Sequence, residues 1–223
     1  MSTNVEKLNA DLTQRVVIDT LTLQWIASPH SGVWRRMLER AAAEAGRTTS
    51  IVRYDAGAQF SRHAHPMGEE IFVLDGTFAD EHGEYPAGTF ILNPPGSVHT
   101  PHSPTGCTLF AKLCQYGGAG RIRAVIETRR MPWERCGVEG IAMRILYSDV
   151  DHPEYITMLK WAAGTRDRYH QHPAGEELFI LAGCLADEHG VYPQGTWIRN
   201  PCGSAHAPYS SDGCIMLLKS GGF

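Results

Sequence analysis

Apolar residues along this chain fall in short runs broken by Gly, Pro, Asn and Asp, the punctuation of strands and turns. Arg15-Val-Val-Ile-Asp19 reads as a strand. Leu21-Thr-Leu-Gln-Trp25 alternates apolar and polar positions and leads to a turn at Ser28-Pro-His-Ser-Gly32. Thr48–Tyr54, Glu69–Asp75, Gly76–Asp80, Thr89–Asn93 and Thr108–Lys112 have strand composition. Glu81-His-Gly83 and Tyr85-Pro-Ala-Gly88 are tight turns between them, with Gly supplying positive φ. One stretch disagrees: Val33 to Ala45 is rich in strong helix formers.

A repeat decides that case. The segment 63–112 returns as 170–219, offset by 107 residues without a gap, with 29 identities in 50 positions. The counterpart of the helix-like stretch is Ile141-Ala-Met-Arg-Ile-Leu-Tyr147, which reads as a strand, and Thr48–Tyr54 corresponds to Tyr155–Trp161. The expectation is therefore a strand over Val33–Arg40 and a turn over Ala41–Gly46. Gly117-Gly-Ala-Gly120 reads as a linker, and Arg121–Thr128 begins the second copy. Three segments follow: an arm or short helix over 1–14, one domain over 15–118 and a second over 121–223. Each of the two domains is about 105 residues, a size that buries a modest core.

Candidate chemistry sits inside the repeat. His63-Ala-His65 places two imidazoles on one side of a strand, because strand side chains repeat every second residue. Pro-Met-Gly then bends the chain, Glu69 opens the next strand, and His99 ends a later one. Three imidazoles and a carboxylate form a donor set suited to Zn, Fe, Ni, Cu or Mn. His170, His172, Glu176 and His206 repeat that order. A lone His is usually a polar or partly buried residue. Eight ligand-type residues in two matched frames, standing where neighbours have diverged (Met67 against Ala174), point to metal.

Composition narrows the setting. Net charge is −4 with no basic block, which disfavours nucleic acid. The first 25 residues hold no long apolar run, so neither a signal peptide nor a membrane span is expected. The six Cys form no Cys-x-x-Cys pair, which suits buried thiols in a reducing cytoplasm.

The same residues resemble the two cupin signatures. Gly57, His63, His65, Glu69 and Gly76 fit the first, and Gly88, Pro94, Gly96 and His99 the second. Gly164, His170, His172, Glu176, Gly183, Gly195, Pro201, Gly203 and His206 fit both again. Ser103 and Ser210 stand where the second signature usually ends in Asn. The wording Gly-Glu-Glu-Ile-Phe-Val-Leu-Asp-Gly, then Ala-Asp-Glu-His-Gly-Glu-Tyr-Pro, resembles the cupin domain of ChrR anti-sigma factors. That resemblance implies an all-β chain of two tandem double-stranded β-helix barrels. It also implies one divalent metal at the mouth of each barrel. Zinc comes first, with Fe, Ni or Mn as alternatives. The signature spacing selects Glu69 over Glu70 and Glu176 over Glu177 as ligands. A sigma-factor partner is implied only by the family name, because the His-x3-Cys-x2-Cys clamp of those factors is missing. No Cys precedes Cys107.

Function is then expected among three uses: an oxidant- or small-molecule-responsive regulator, an Fe(II) dioxygenase of the acetylacetone-cleaving kind, or a structural zinc fold. A homodimer is expected from alternating apolar positions such as Val16, Ile18 and Leu23. His82 and His189 are expected as exposed hairpin tips, and Lys112 and Lys219 as solvated strand ends. Copy two has the more polar surroundings if Arg199 (for Leu92), Tyr209 (for His102) and Cys202 (for Pro95) face inward. Cys202, four residues before His206, is the candidate for a redox-responsive thiol beside a metal.

Overall fold

Seven antiparallel strands build the main sheet of the first unit. Their spatial order is Ala124–Glu127, Thr89–Asn93, Glu69–Asp80, Cys107–Leu113, Thr48–Tyr54, Val33–Arg40 and Ile26–Ala27. The computed structural model describes residues 7–42 and 46–222. The helix-like stretch is indeed a strand over Val33–Arg40, paired with Thr48–Tyr54. Residues 1–6 of the expected arm and 43–45 of the expected turn at 41–46 lie outside the described residues. Among the described residues the only helical element is a 3-10 turn, Thr128–Arg130.

The second unit repeats the plan with Val16–Asp19, Thr196–Asn200, Glu176–Asp187, Cys214–Ser220, Tyr155–Trp161, Ile141–Ser148 and Glu134–Arg135. Inward positions of each sheet close a core. Ile71, Val73, Ile91 and Leu109 fill the first, and Leu178, Ile180, Ile198 and Met216 the second. Each such side chain contributes roughly 1.5–3 kcal/mol through burial. Thr89–Asn93 and Thr196–Asn200 are buried at every position. That explains why Phe90-Ile-Leu92 reads as an apolar run and not as alternation.

The compact units and the sequence repeats have different boundaries. One unit comprises residues 1–10 and 23–130, the other 11–22 and 131–223. The strand Val16–Asp19 therefore pairs with Thr196–Asn200, and Ala124–Glu127 pairs with Thr89–Asn93. The units thus differ from the sequence segments 15–118 and 121–223 by an exchange of one edge strand each. The chain leaves the second unit through Thr20–Trp25, so the alternating stretch Leu21–Trp25 forms no strand. It turns because Asp19 Oδ1 accepts the Leu21 N–H at 2.9 Å and the Asp19 carbonyl accepts the Thr22 hydroxyl.

Candidate metal centres

His63–His65 pairs with Ser97–His99 as a short two-stranded ribbon, with His63 directly opposite His99. The bend expected after His65 is present: Gly68 has φ of +70°, and its N–H reaches the His65 carbonyl. In the second copy His170 lies opposite His206. Ring centroids within the first triad are 4.7, 5.2 and 4.9 Å apart, and within the second 4.8, 5.2 and 5.0 Å. In each triad one ligand nitrogen per ring lies within 4.8 Å of the others. His65 Nε2 and His99 Nε2 are 3.0 Å apart. Two nitrogens on one ion at ~2.1 Å sit about 3.0–3.4 Å apart for right-angle or tetrahedral ligation, so the spacing fits.

Each glutamate joins its triad. Glu69 Oε2 is 3.6 Å from His65 Nε2 and 3.5 Å from His99 Nε2, and accepts the Asn93 amide at 2.9 Å. Glu176 lies 3.6 Å from His172 Nδ1 and 3.8 Å from His206 Nε2, and accepts the Asn200 amide at 3.0 Å. Burial pushes the Glu176 carboxyl up to about 7 and His172 down to about 4, the latter reinforced by His206 and His170. His172 Nε2 is buried without a hydrogen-bond partner. A cluster of lone pairs with a reluctant carboxylate is an environment that a divalent cation satisfies.

Outer partners fix which nitrogens face the centre. His63 Nδ1 and His170 Nδ1 lie 2.8 Å from the carbonyls of Ser61 and Arg168. His99 Nδ1 lies 3.3 Å from Asp80 Oδ2, and His206 Nδ1 lies 3.0 Å from Asp187 Oδ2. With Nδ1–H held, Nε2 is left as the donor atom. Asp80 is itself anchored by the Tyr85 hydroxyl at 2.7 Å and the His82 N–H at 2.8 Å. Burial alone would raise its pKa. The hydrogen bonds from His99, Tyr85 and His82 outweigh burial and hold it at about 2.

The two centres differ beside the metal position. A cavity of about 140 Å³ opens onto His170, His206 and Glu176, with Trp161, Met216 and Leu218 among its apolar walls. Asp167 lines it too. The same backbone position in the first copy is Phe60: Phe60 donates its N–H to Pro101, as Asp167 does to Pro208. The Phe60 ring stacks 3.9 Å from His30 and 5.6 Å from His63.

The family model for the ChrR cupin-like domain matches residues 13–117 and again 121–223. The chain belongs to that family. Solved structures agree on the fold. A Nostoc punctiforme protein provisionally described as a dioxygenase is 14% identical, with a TM-score of 0.77 over 92% of this chain and 82% of that one. YlbA from E. coli is 14% identical, with 0.74 over 98% and 96%. Oxalate decarboxylase from Bacillus subtilis is 12% identical, with 0.63 over 92% and 75%. No curated protein sequence matches the chain.

In this bicupin all eight expected residues gather at two centres. Sequence reading missed their supports: Asp80, Asp187, Asn93, Asn200, Tyr85 and Tyr192. The available signal was their identity between copies, in Ala-Asp-Glu-His-Gly and in Asn-Pro. His82 and His189 are exposed at hairpin tips, as expected. Lys112 and Lys219 are not solvated. They are 0% and 3% exposed, and Lys112 donates to the Thr49 hydroxyl at 3.0 Å. Arg199 does not face the metal, since its strand neighbour Ile198 is the residue in the core. Cys202 is exposed on its turn, and the thiol that lines the cavity is Cys136.

Proposed function

We propose that each triad with its glutamate holds a divalent transition metal, and that the second centre binds a small, largely apolar molecule beside that metal. The cavity next to His170, His206 and Glu176 carries this reading. Its volume of about 140 Å³ suits a benzene-sized molecule, on the order of six heavy atoms. A bound divalent ion would act there as a Lewis acid toward an oxygen of the ligand. Trp161, Met216 and Leu218 would hold the apolar body, and Asp167 would face its polar end. The Phe60 ring beside His63 supports a structural role for the first centre.

The test uses acetylacetone, a compact β-diketone with two oxygen donors. Protein purified without oxygen should carry about two metals per chain by elemental analysis. Acetylacetone should perturb the absorbance of the Co(II)-loaded protein. Asp167→Phe, which installs the first copy's residue, should abolish that change while both metals stay bound. An unaltered response in Asp167→Phe would refute the assignment of the second cavity.

The dioxygenase and regulatory uses then separate experimentally. Iron content with oxygen uptake on acetylacetone addition supports turnover. Zinc without oxygen uptake supports regulation, for which Cys136 is an oxidisable thiol on the wall of the same cavity. In that case peroxide should release metal from the second centre in the wild type and not in Cys136→Ser.

A further inference from the structure

Each metal centre has one outer contact that comes from the other sequence repeat. Arg123 lies in the second matched segment, just before the strand Ala124–Glu127. Its Nε donates to Asn93 Oδ1 at 3.0 Å, and its Nη2 to the Tyr85 hydroxyl at 2.8 Å. The same Nη2 is 3.6 Å from Asp80 Oδ2. Arg15 lies in the first segment, just before Val16–Asp19. Its Nε donates to Asn200 Oδ1 at 2.9 Å, its Nη2 to the Tyr192 hydroxyl at 2.6 Å, and Nη2 is 3.8 Å from Asp187 Oδ2.

One guanidinium thus grips both supports of a centre. Through the asparagine it orients the amide that holds the glutamate. Through the tyrosine and aspartate it orients the carboxylate that holds the third histidine. Two N–H groups in a fixed fork are needed to hold both at once, which a lysine ammonium cannot reproduce. The aspartates are 1% and 2% exposed at the side chain and the arginines 32% and 31%, so each guanidinium reaches a buried carboxylate from a partly exposed position.

We infer that Arg15 is a positioning residue for the second metal centre, and Arg123 for the first, so that each repeat completes the centre of the other. The inference rests on the metal reading above. Its test is Co(II) titration of the full-length metal-free chain with one triad removed. His63→Ala with His65→Ala leaves only the second centre. In that background Arg15→Ala should weaken Co(II) binding ~10–100-fold, the usual effect of removing an outer partner, and shift the visible Co(II) band. Arg123→Ala in the same background should leave affinity and band unchanged. With His170→Ala and His172→Ala the two arginines should exchange roles.

Arg15→Lys guards against misfolding: it keeps the charge and the strand but not the fork. Its metal-free melting curve should match the parent while the Co(II) band still shifts. An unshifted band in Arg15→Lys together with unchanged affinity in Arg15→Ala would overturn the inference. So would an Arg123→Ala effect on the second centre equal to that of Arg15→Ala. A parent variant that binds no Co(II) at all would instead overturn the metal reading itself.

Discussion

At the scale of single residues, what the sequence made legible was the donor atoms, because ligand chemistry restricts residue type and strand geometry restricts spacing. What it concealed was orientation. Nothing in His-x-His says that His99 Nδ1 will face Asp80, or that Asn93 will hold Glu69, since those contacts join strands far apart in sequence. Asp187→Asn should weaken metal at the second centre ~10–100-fold, measured by competition with a chelator, while the first centre stays loaded. Cysteine chemistry separates at the same scale. Burial pushes the Cys107 thiol up to about 11, and Cys214 is raised by burial as well. Cys202 is exposed. Iodoacetamide at pH 8 should therefore label Cys202 in the native protein and spare Cys107 and Cys214 until it is denatured, as peptide mass spectrometry would show. The Lys112 reading failed for a related reason. Position at a strand end suggests water, but this lysine is drawn inside beside Thr49.

Among the elements, the long strand Glu69–Asp80 does the most. Its first half pairs with Thr89–Asn93 and carries Glu69, and its second half pairs with Gly83–Pro86 and carries Asp80. The register against Cys107–Leu113 shifts at Leu74, two residues before Gly76, whose φ is +73°. A Cβ at Gly76 would collide with the Gly106 carbonyl oxygen. Gly76→Ala should thus destabilise the protein by about 2 kcal/mol or more, seen as a lower melting temperature. It should also loosen the first centre more than the second. The sequence placed both halves of this strand correctly and read Gly76 as a boundary; the tolerance of glycine for this φ makes it a bend within one strand. Local pattern misled at Leu21–Trp25, where alternation occurs in a connector. It would have misled at Val33–Arg40 as well, had the repeat not overridden helix propensity.

For the whole molecule, the repeat announced two barrels but could not show that their first strands are exchanged. Equivalent strands carry equivalent patterns, so Val16–Asp19 fits either barrel as well as Ala124–Glu127 does. The choice depends on the path taken by Thr20–Trp25 and by the exposed linker 117–120. A protease that cuts within Gly117–Gly120 should therefore leave one particle on gel filtration, separating into two fragments only in denaturant. Val16–Asp19 of the front fragment stays paired with Thr196–Asn200 of the rear, and Ala124–Glu127 of the rear with Thr89–Asn93 of the front. Fragments that part without denaturant would contradict the exchange. For heredity the duplication works as a ratchet. A lineage that deleted either half of the gene would not return to a single-barrel ancestor. It would keep a barrel stripped of its edge strand and of the arginine beside its histidine triad.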